Sequence, residues 1–394
     1  MEAMRAHHKR IEIDLHLKTR GRDKLRKGKG LIMFITPERN NSAAEAFWKG
    51  TPSNGLMWSL DLQPEVVERC ASVMGYTSDI EFMQKELGCL IWGDWLAPYN
   101  CRNDWVEELI KERGEVQEIT YRCQAGELHE VRKKEQIVEH RVKSLEDLKL
   151  LIKMWKRIEI DPEINRFNKA LENGRGKWPV IPSLLECSPV QHFLQNESGV
   201  ESFWYMLADD APLVEEAMNI WQDLMKRKYE IIRKLPCLGF FQSENTSATM
   251  ISPYYYEKYS LKHILDFTSM AKKEGKRTLV HMCGLLQNLM PLLKESGMSG
   301  IHALTTPPTG DVDFTHAVDE MPVDFFMLGR FGSHFWYNKS RQEILDALSL
   351  VLPASIFREH AFTLLVTGDG FTDISEKNLI ILRDCINEYE EMGR

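Results

Sequence analysis

The chain has 394 residues, 43% hydrophobic and 27% charged, enough to bury one large core or two smaller ones. Its formal net charge of −8 gives no general attraction to nucleic acid or to an anionic membrane surface. No run of about eighteen apolar residues exists and no apolar segment follows the basic N-terminus, so neither a transmembrane helix nor a secretory leader is expected.

The eight cysteines are scattered without a Cys-x-x-Cys pair, which points to cytoplasmic thiols rather than a disulfide framework. In chain order, residues 1–32 carry ten Lys and Arg against four acidic residues and show no sustained apolar period. They read as a basic, disordered or weakly helical extension reaching to residue 40. The alternatives are a nucleic-acid-binding arm, weakened by the lack of interleaved aromatic residues, and a natural start at Met33. From Asn41 the text becomes globular: "NSAAEAFWKG" has apolar residues at helical spacing, and "LQPEVVERCASVMGY" opens on a proline and closes at Gly75. Residues 115–142 alternate β-formers with charge around a glycine, as in an antiparallel hairpin with one face in water.

The second half repeats strand, loop, helix. Strands are expected at 179–186, 237–243, 277–283, 299–304, 323–329 and 361–367, with helical stretches such as "VEEAMNIWQDLMKRKYEIIRKL" between them. Their number favours a (β/α)8 TIM barrel over an open sheet. No Gly-x-Gly-x-x-Gly follows the first strand, so a dinucleotide-binding domain has no support.

In a barrel, reacting groups sit at the C-terminal ends of the strands. Those ends carry Glu186, Cys187, Glu244, His281, Cys283, His302, Arg330 and Asp369. In "RTLVHMCG", His281 and Cys283 stand two apart on a strand, so both would face the mouth while Met282 packs outward. Imidazole and thiolate are preferred Zn²⁺ ligands. The spacing alone is weak, because 12 His and 8 Cys in 394 residues give about 0.24 such pairs by chance.

The other candidates each have a plain structural reading. Glu244 is a metal ligand or acid/base, or else a carboxylate capping the next helix. Asp369, between two glycines, is a ligand or a turn aspartate. His302 is a substrate contact or a hydrogen-bonded core histidine. Asp311 touches substrate or orders its own loop. Arg330 meets an anionic group or forms a salt bridge. Tyr254, Tyr255, Tyr256 and Tyr259 read as helix packing.

"LVHMCG" followed by "SGMSGIHALTTPPTGDVDF" resembles the uroporphyrinogen decarboxylase superfamily, and within it the cobalamin-dependent methyltransferase branch. "AAEAFWKGTPSNGLMW" resembles that family's opening helix and first strand, and "AGELHEVRKKEQIVEHRVKSLEDLKLL" its hairpin and following helix. "GVESFWYMLADDAPLVEEAM" and "SENTSATMISPYYYEKYSLKHI" resemble its central segments, so the resemblance covers roughly residues 41–390.

The resemblance implies a single barrel domain over 41–394 with an N-terminal helical and hairpin elaboration. It also implies one Zn²⁺ on His281 and Cys283, completed by Glu244 or Asp369, with His302, Asp311 and Arg330 toward substrate. The implied activity is methyl transfer between a separate corrinoid protein, carrying methylcobamide, and a thiol or tetrahydrofolate-type pterin acceptor. No Asp-x-His-x-x-Gly is present to bind a corrinoid in this chain.

Two departures stand out. Asp369 lies in "TGDGFTDISEKN" where thiol-activating members carry a third cysteine, and the arginine-bearing motif of the decarboxylases is absent. The alternatives are a carboxy-lyase of the uroporphyrinogen decarboxylase kind, and a barrel that binds metal or corrinoid partner without catalysis.

Overall fold

The computed structural model describes residues 36–393 apart from 54, 135 and 185. The basic segment 1–32, the alternative start at Met33 and their expected roles lie outside the described residues.

Eight parallel strands form the central sheet: β1 (Met57–Asp61), β2 (Asp94–Leu96), β3 (Val180–Leu184), β4 (Gly239–Ser243), β5 (Arg277–His281), β6 (Gly300–Thr305), β7 (Phe326–Phe331) and β8 (Ala361–Thr367). Each lies beside its neighbour in sequence and β8 pairs with β1, which is the strand order of a (β/α)8 barrel. Between β1 and β2 the ladder is interrupted, and the Leu90 amide donates to the Trp58 carbonyl at 2.7 Å across that seam. Helices such as Ala211–Ile232, Lys262–Lys273 and Glu376–Met392 connect or follow the strands. No helix among the described residues is long and apolar enough to cross a membrane.

The N-terminal end of the barrel is stoppered by the helix Pro37–Trp48. This helix begins four residues before the position expected from composition, because the Thr36 hydroxyl caps it ahead of Pro37. Phe47 and Trp48 pack on Phe326 with ring centroids 4.9 and 5.2 Å away, and the Trp48 indole donates to the Trp92 carbonyl at 2.8 Å. Gly239, at the start of β4, makes room for this tryptophan: a Cβ there would lie 2.5 Å from the Trp48 ring.

The expected hairpin at 115–142 is part of a larger four-stranded antiparallel sheet of Glu107–Arg113, Val116–Cys123, Gly126–Lys133 and Gln136–Glu139, inserted between β2 and β3. It is anchored by a buried ion pair. Arg141 donates to both oxygens of Glu197 at 2.6 Å, and the fully enclosed Glu197 also meets the His192 ring at 2.9 Å. Burial pushes the Glu197 carboxyl up, but the Arg141 charge and the hydrogen bonds outweigh it and hold it at about 2.

The six strands expected in the second half are present, that at 361–367 with the limits expected and the others with one or both ends shifted by one to three residues, and one shift matters. β5 stops at His281, so Cys283 stands in the loop beyond the strand rather than on it. The alternation argument therefore holds for His281 but not for Cys283. Met282 is buried in the outer core, as expected.

Candidate active site at the barrel mouth

β5 delivers His281 in register with His302 of β6, and their Nδ1 atoms lie 2.8 Å apart. β6 is irregular just beyond, with a register shift between His302 and Leu304 and a left-handed Ala303 (φ 63°). His302 is buried against Trp92 and Phe241, with centroids 5.3 and 5.4 Å away. Burial lowers both histidines well below the usual imidazole value. For His281 the nearby Arg330 charge adds to the effect and the result is about 4. At neutral pH both rings are uncharged, so one nitrogen of the close pair donates and the other accepts.

Cys283 is boxed in by three loops. Its thiol donates to Asn245 Oδ1 at 3.0 Å, and its carbonyl accepts from the Thr305 hydroxyl at 3.3 Å. Gly284 lets the loop after β4 come this close, because a Cβ there would lie 2.3 Å from Ser247 Cβ and 2.6 Å from the Thr246 carbonyl oxygen. Burial raises the Cys283 thiol above its ordinary value and the Arg330 charge offsets part of that rise.

Arg330 projects from β7 and Asp369 follows β8. Arg330 Nη2 donates to Asp369 Oδ1, and Arg330 Nε donates to the Thr367 hydroxyl at 3.1 Å. Asp369 also accepts from the Thr367 hydroxyl at 2.7 Å, and from the Ser333 amide and hydroxyl at 2.6 and 2.7 Å. Burial pushes this carboxyl up, yet the donors from Arg330, Ser333 and Thr367 prevail and hold it at about 2. Asp369 adopts a left-handed backbone (φ 50°) between two glycines, which agrees with the turn reading of this residue. Asp61, at the end of β1, has its carboxyl raised by its surroundings, lowered in part by Arg330 and raised again by Asp369. A cavity of about 300 Å³ opens here, lined by Asp61, Gln63, Asp369 and Phe371 among others.

Glu244 follows β4, its amide donating to the His281 carbonyl at 3.2 Å, but its side chain faces the loop after β3. It is fully buried, and its oxygens accept from the Ser188 amide at 2.7 Å, the Ser188 hydroxyl at 2.5 Å and the Thr246 hydroxyl at 3.3 Å. Burial dominates these bonds and raises its carboxyl to about 7. The side chain ties the loop after β3 to the loop after β4. Asp311 likewise serves its loops, accepting from the Leu286 and Gln287 amides at 2.6 and 3.1 Å. Glu186 pairs with buried Lys228 and accepts from the Tyr99 hydroxyl at 2.7 Å. Of the four tyrosines expected to pack a helix, Tyr256 and Tyr259 are buried and do so, whereas Tyr254 and Tyr255 are exposed, Tyr255 stacking on Tyr259 at 6.1 Å.

The structure thus gathers His281, His302, Cys283, Arg330 and Asp369 at the mouth and leaves Glu244 and Asp311 behind it. As placed, the implied zinc ligands do not form a donor set. Glu244 faces Ser188, Asp369 is saturated by Arg330, Ser333 and Thr367, and Cys283 faces Asn245. Among the described residues no three His, Cys, Asp or Glu side chains converge on a metal position.

The sequence reading missed Asp61, Asn245, Ser333, Thr367 and Trp95. Trp95 pairs in register with inward-facing Ile181, packs edge-on against Phe241 at 4.8 Å and is 46% exposed. Asp61 ends β1, whose limits the sequence did not show, whereas Thr367 ends the strand expected at 361–367 and was passed over there. Asn245 and Ser333 carry no local signal.

No family model matches the chain, and no curated protein does. Among solved structures, a ribulose-1,5-bisphosphate carboxylase/oxygenase from Pyrococcus horikoshii OT3 aligns over 43% of this chain and 41% of its own at 9% identity. Its TM-score of 0.27 is too low to bear on the fold. A methyltransferase from Methanosarcina mazei aligns over 90% of this chain and 99% of its own, with a TM-score of 0.54 and 14% identity. The likeness is one of fold: this chain shares its parallel α/β barrel architecture with that methyltransferase over nearly the whole described length.

Proposed function

We propose that this protein is a methyltransferase of the uroporphyrinogen decarboxylase type, moving a methyl group between a separate corrinoid protein and a thiol or pterin acceptor bound at the barrel mouth. The observation that carries the reading is one of position. The His-x-Cys-Gly segment stands at the C-terminal rim of a barrel whose fold is shared, over 90% of the chain, with a methyltransferase.

The donor set does not fit zinc as placed, so no step is drawn through a metal. With a thiol acceptor, the sulfur loses its proton to water and its lone pair forms the new S–C bond. The cobalt–carbon bond of the methylated corrinoid breaks, and its electron pair stays on cobalt. His281 and His302 are uncharged and hold the acceptor by hydrogen bonding, because imidazoles this far depressed are poor bases at neutral pH. Arg330 stabilises the sulfur as it becomes anionic.

A carboxy-lyase acting on a polycarboxylated substrate has less support. Such a reaction calls for several arginines, whereas among the described residues Arg330 is the single arginine near the C-terminal end of a barrel strand. The test is direct. The full chain is mixed with methylcobalamin, or with a methylated corrinoid protein, and offered homocysteine, coenzyme M or tetrahydrofolate, and the methylated product is sought by mass spectrometry. No product with any acceptor, and no demethylation of those products in reverse, would remove the proposal.

A further inference from the structure

The mouth needs a positive charge if an acceptor is to react as an anion, and the side chains gathered there say where it comes from. Arg330 leaves β7 and is clamped along one edge: Nε to the Thr367 hydroxyl at 3.1 Å, Nη2 to Asp369. Asp369 is itself fixed by Ser333, through both its amide and its hydroxyl, and by Thr367. The guanidinium is thus held in one orientation, and Nη1 makes no hydrogen bond among the described residues. Its side chain is 22% exposed, so the residue is not sealed from solvent.

Two consequences follow for a metal. Asp369 reaches a cation only by giving up donors it now holds, those of Arg330 and Thr367 on Oδ1 or those of Ser333 on Oδ2, and freeing Oδ1 would leave a partly buried guanidinium unpaired. A fixed positive charge whose field reaches both His281 and Cys283 also opposes placing a divalent cation between them.

We infer that Arg330 is the resident cation of this mouth, standing in for the metal that a His-x-Cys-Gly strand end implies, and that it binds the anionic group of the acceptor, a thiolate or carboxylate. Asp369 is a positioning residue that orients the guanidinium. The acceptor-binding half of this inference rests on the methyltransferase reading; the assignment of the cation does not.

Zinc analysis of the full chain, grown with zinc and purified without chelators, tests the cation. Zinc well below one per chain, and unchanged in Cys283→Ser, is expected. One zinc per chain that is lost in Cys283→Ser overturns the inference. The acceptor half is read in methyl transfer from methylcobalamin to homocysteine. Activity is expected to survive a strong chelator, to fall by about 10- to 100-fold in Arg330→Met with a rise in KM for the thiol, and to recover in part in Arg330→Lys, which keeps the charge. Loss of activity on chelation, or an Arg330→Met enzyme with unchanged KM and kcat, overturns it. Failure of methyl transfer in every protein would remove the proposed function, while the zinc content would still decide which cation the mouth holds.

Discussion

His281 Nδ1 and His302 Nδ1 meet at 2.8 Å across β5 and β6, two uncharged rings sharing one hydrogen in a water-poor part of the barrel. Their folded pKa values lie below the ordinary imidazole value, that of His281 at about 4. The stability they contribute is therefore present above pH 6.5 and is lost as pH falls from 6.5 toward 4, when protonation favours the unfolded chain. His302→Phe keeps an aromatic ring among Trp92 and Phe241 and removes one of the two groups that resist protonation. The drop in urea midpoint between pH 7.5 and pH 5 is expected to be smaller in this variant than in wild type, and an equal drop would show that His302 is not held neutral.

Asp369 and Arg330 give a second pH signature. The Asp369 carboxyl is held at about 2, below its unfolded value, so its contribution is present above pH 3.8 and disappears as pH falls toward 2. Asn tolerates the left-handed backbone at this position, so Asp369→Asn removes the charge while keeping the turn. A loss of about 1–2 kcal/mol at pH 7 is expected, reduced from the full linkage value because the pair is about one-fifth exposed. Asp369→Ala should lose more, since it also strains the backbone. Denaturant titration of the two variants separates these effects, and equal losses would assign the whole cost to the charge.

How much of this was legible in the sequence depends on where each contact closes. Strands β3 to β8 were readable because each is an apolar run long enough to stand out between helices. β2 was not: only three residues, Asp94–Leu96, pair with β3, and the flanking text "IWGDWLAP" has no period to follow. With β2 unseen, Trp95 had no inward face to be assigned to. His281 was placed correctly because the strand carries it, whereas Cys283 was placed by assuming that the strand ran two residues further. Glu244 and Asp369 were both marked as polar strand-end groups, and both are at strand ends. What decides their roles is Ser188 for one and Ser333 for the other, partners 56 and 36 residues away that no local pattern announces.

Glu244 titrates in the opposite sense to the histidines. Burial raises its carboxyl from 4.5 to about 7, so its favourable contribution is full below pH 4.5 and is lost as pH rises through 7. Gln fits this site: its carbonyl oxygen can accept from the Ser188 amide, and the Ser188 and Thr246 hydroxyls can turn to accept from its amide nitrogen. Glu244→Gln is expected to be more stable relative to wild type at pH 8 than at pH 5, by up to about 3 kcal/mol. Because the histidine and glutamate effects overlap and oppose each other between pH 4.5 and 6.5, wild type alone would show a muted profile. The variant should expose the histidine limb. An unchanged difference between the two pH values would place Glu244 in the ionised form throughout.

The stopper at the closed end of the barrel gives the last prediction. Asn40 is fully buried and binds the segments before β2 and β3: its amide donates to the Ile91 and Lys177 carbonyls at 3.1 and 2.8 Å, and its oxygen accepts from the Ile91 amide at 2.7 Å. Asn40→Ala takes this partner from three half-buried backbone groups, the Ile91 amide and carbonyl and the Lys177 carbonyl, and is expected to cost about 2 kcal/mol. Asn40→Asp preserves volume and keeps the acceptor, yet it should be the worse substitution. It places a carboxylate against two carbonyl oxygens, so either a charge is buried beside them or a proton must be taken up. Urea midpoints at pH 7 should rank wild type above Asn40→Ala and Asn40→Asp lowest, and the gap between the two variants should narrow as the pH is lowered and the aspartate protonates. If the isosteric variant were instead the milder one at pH 7, volume rather than hydrogen-bond sense would be what seats the helix against the barrel.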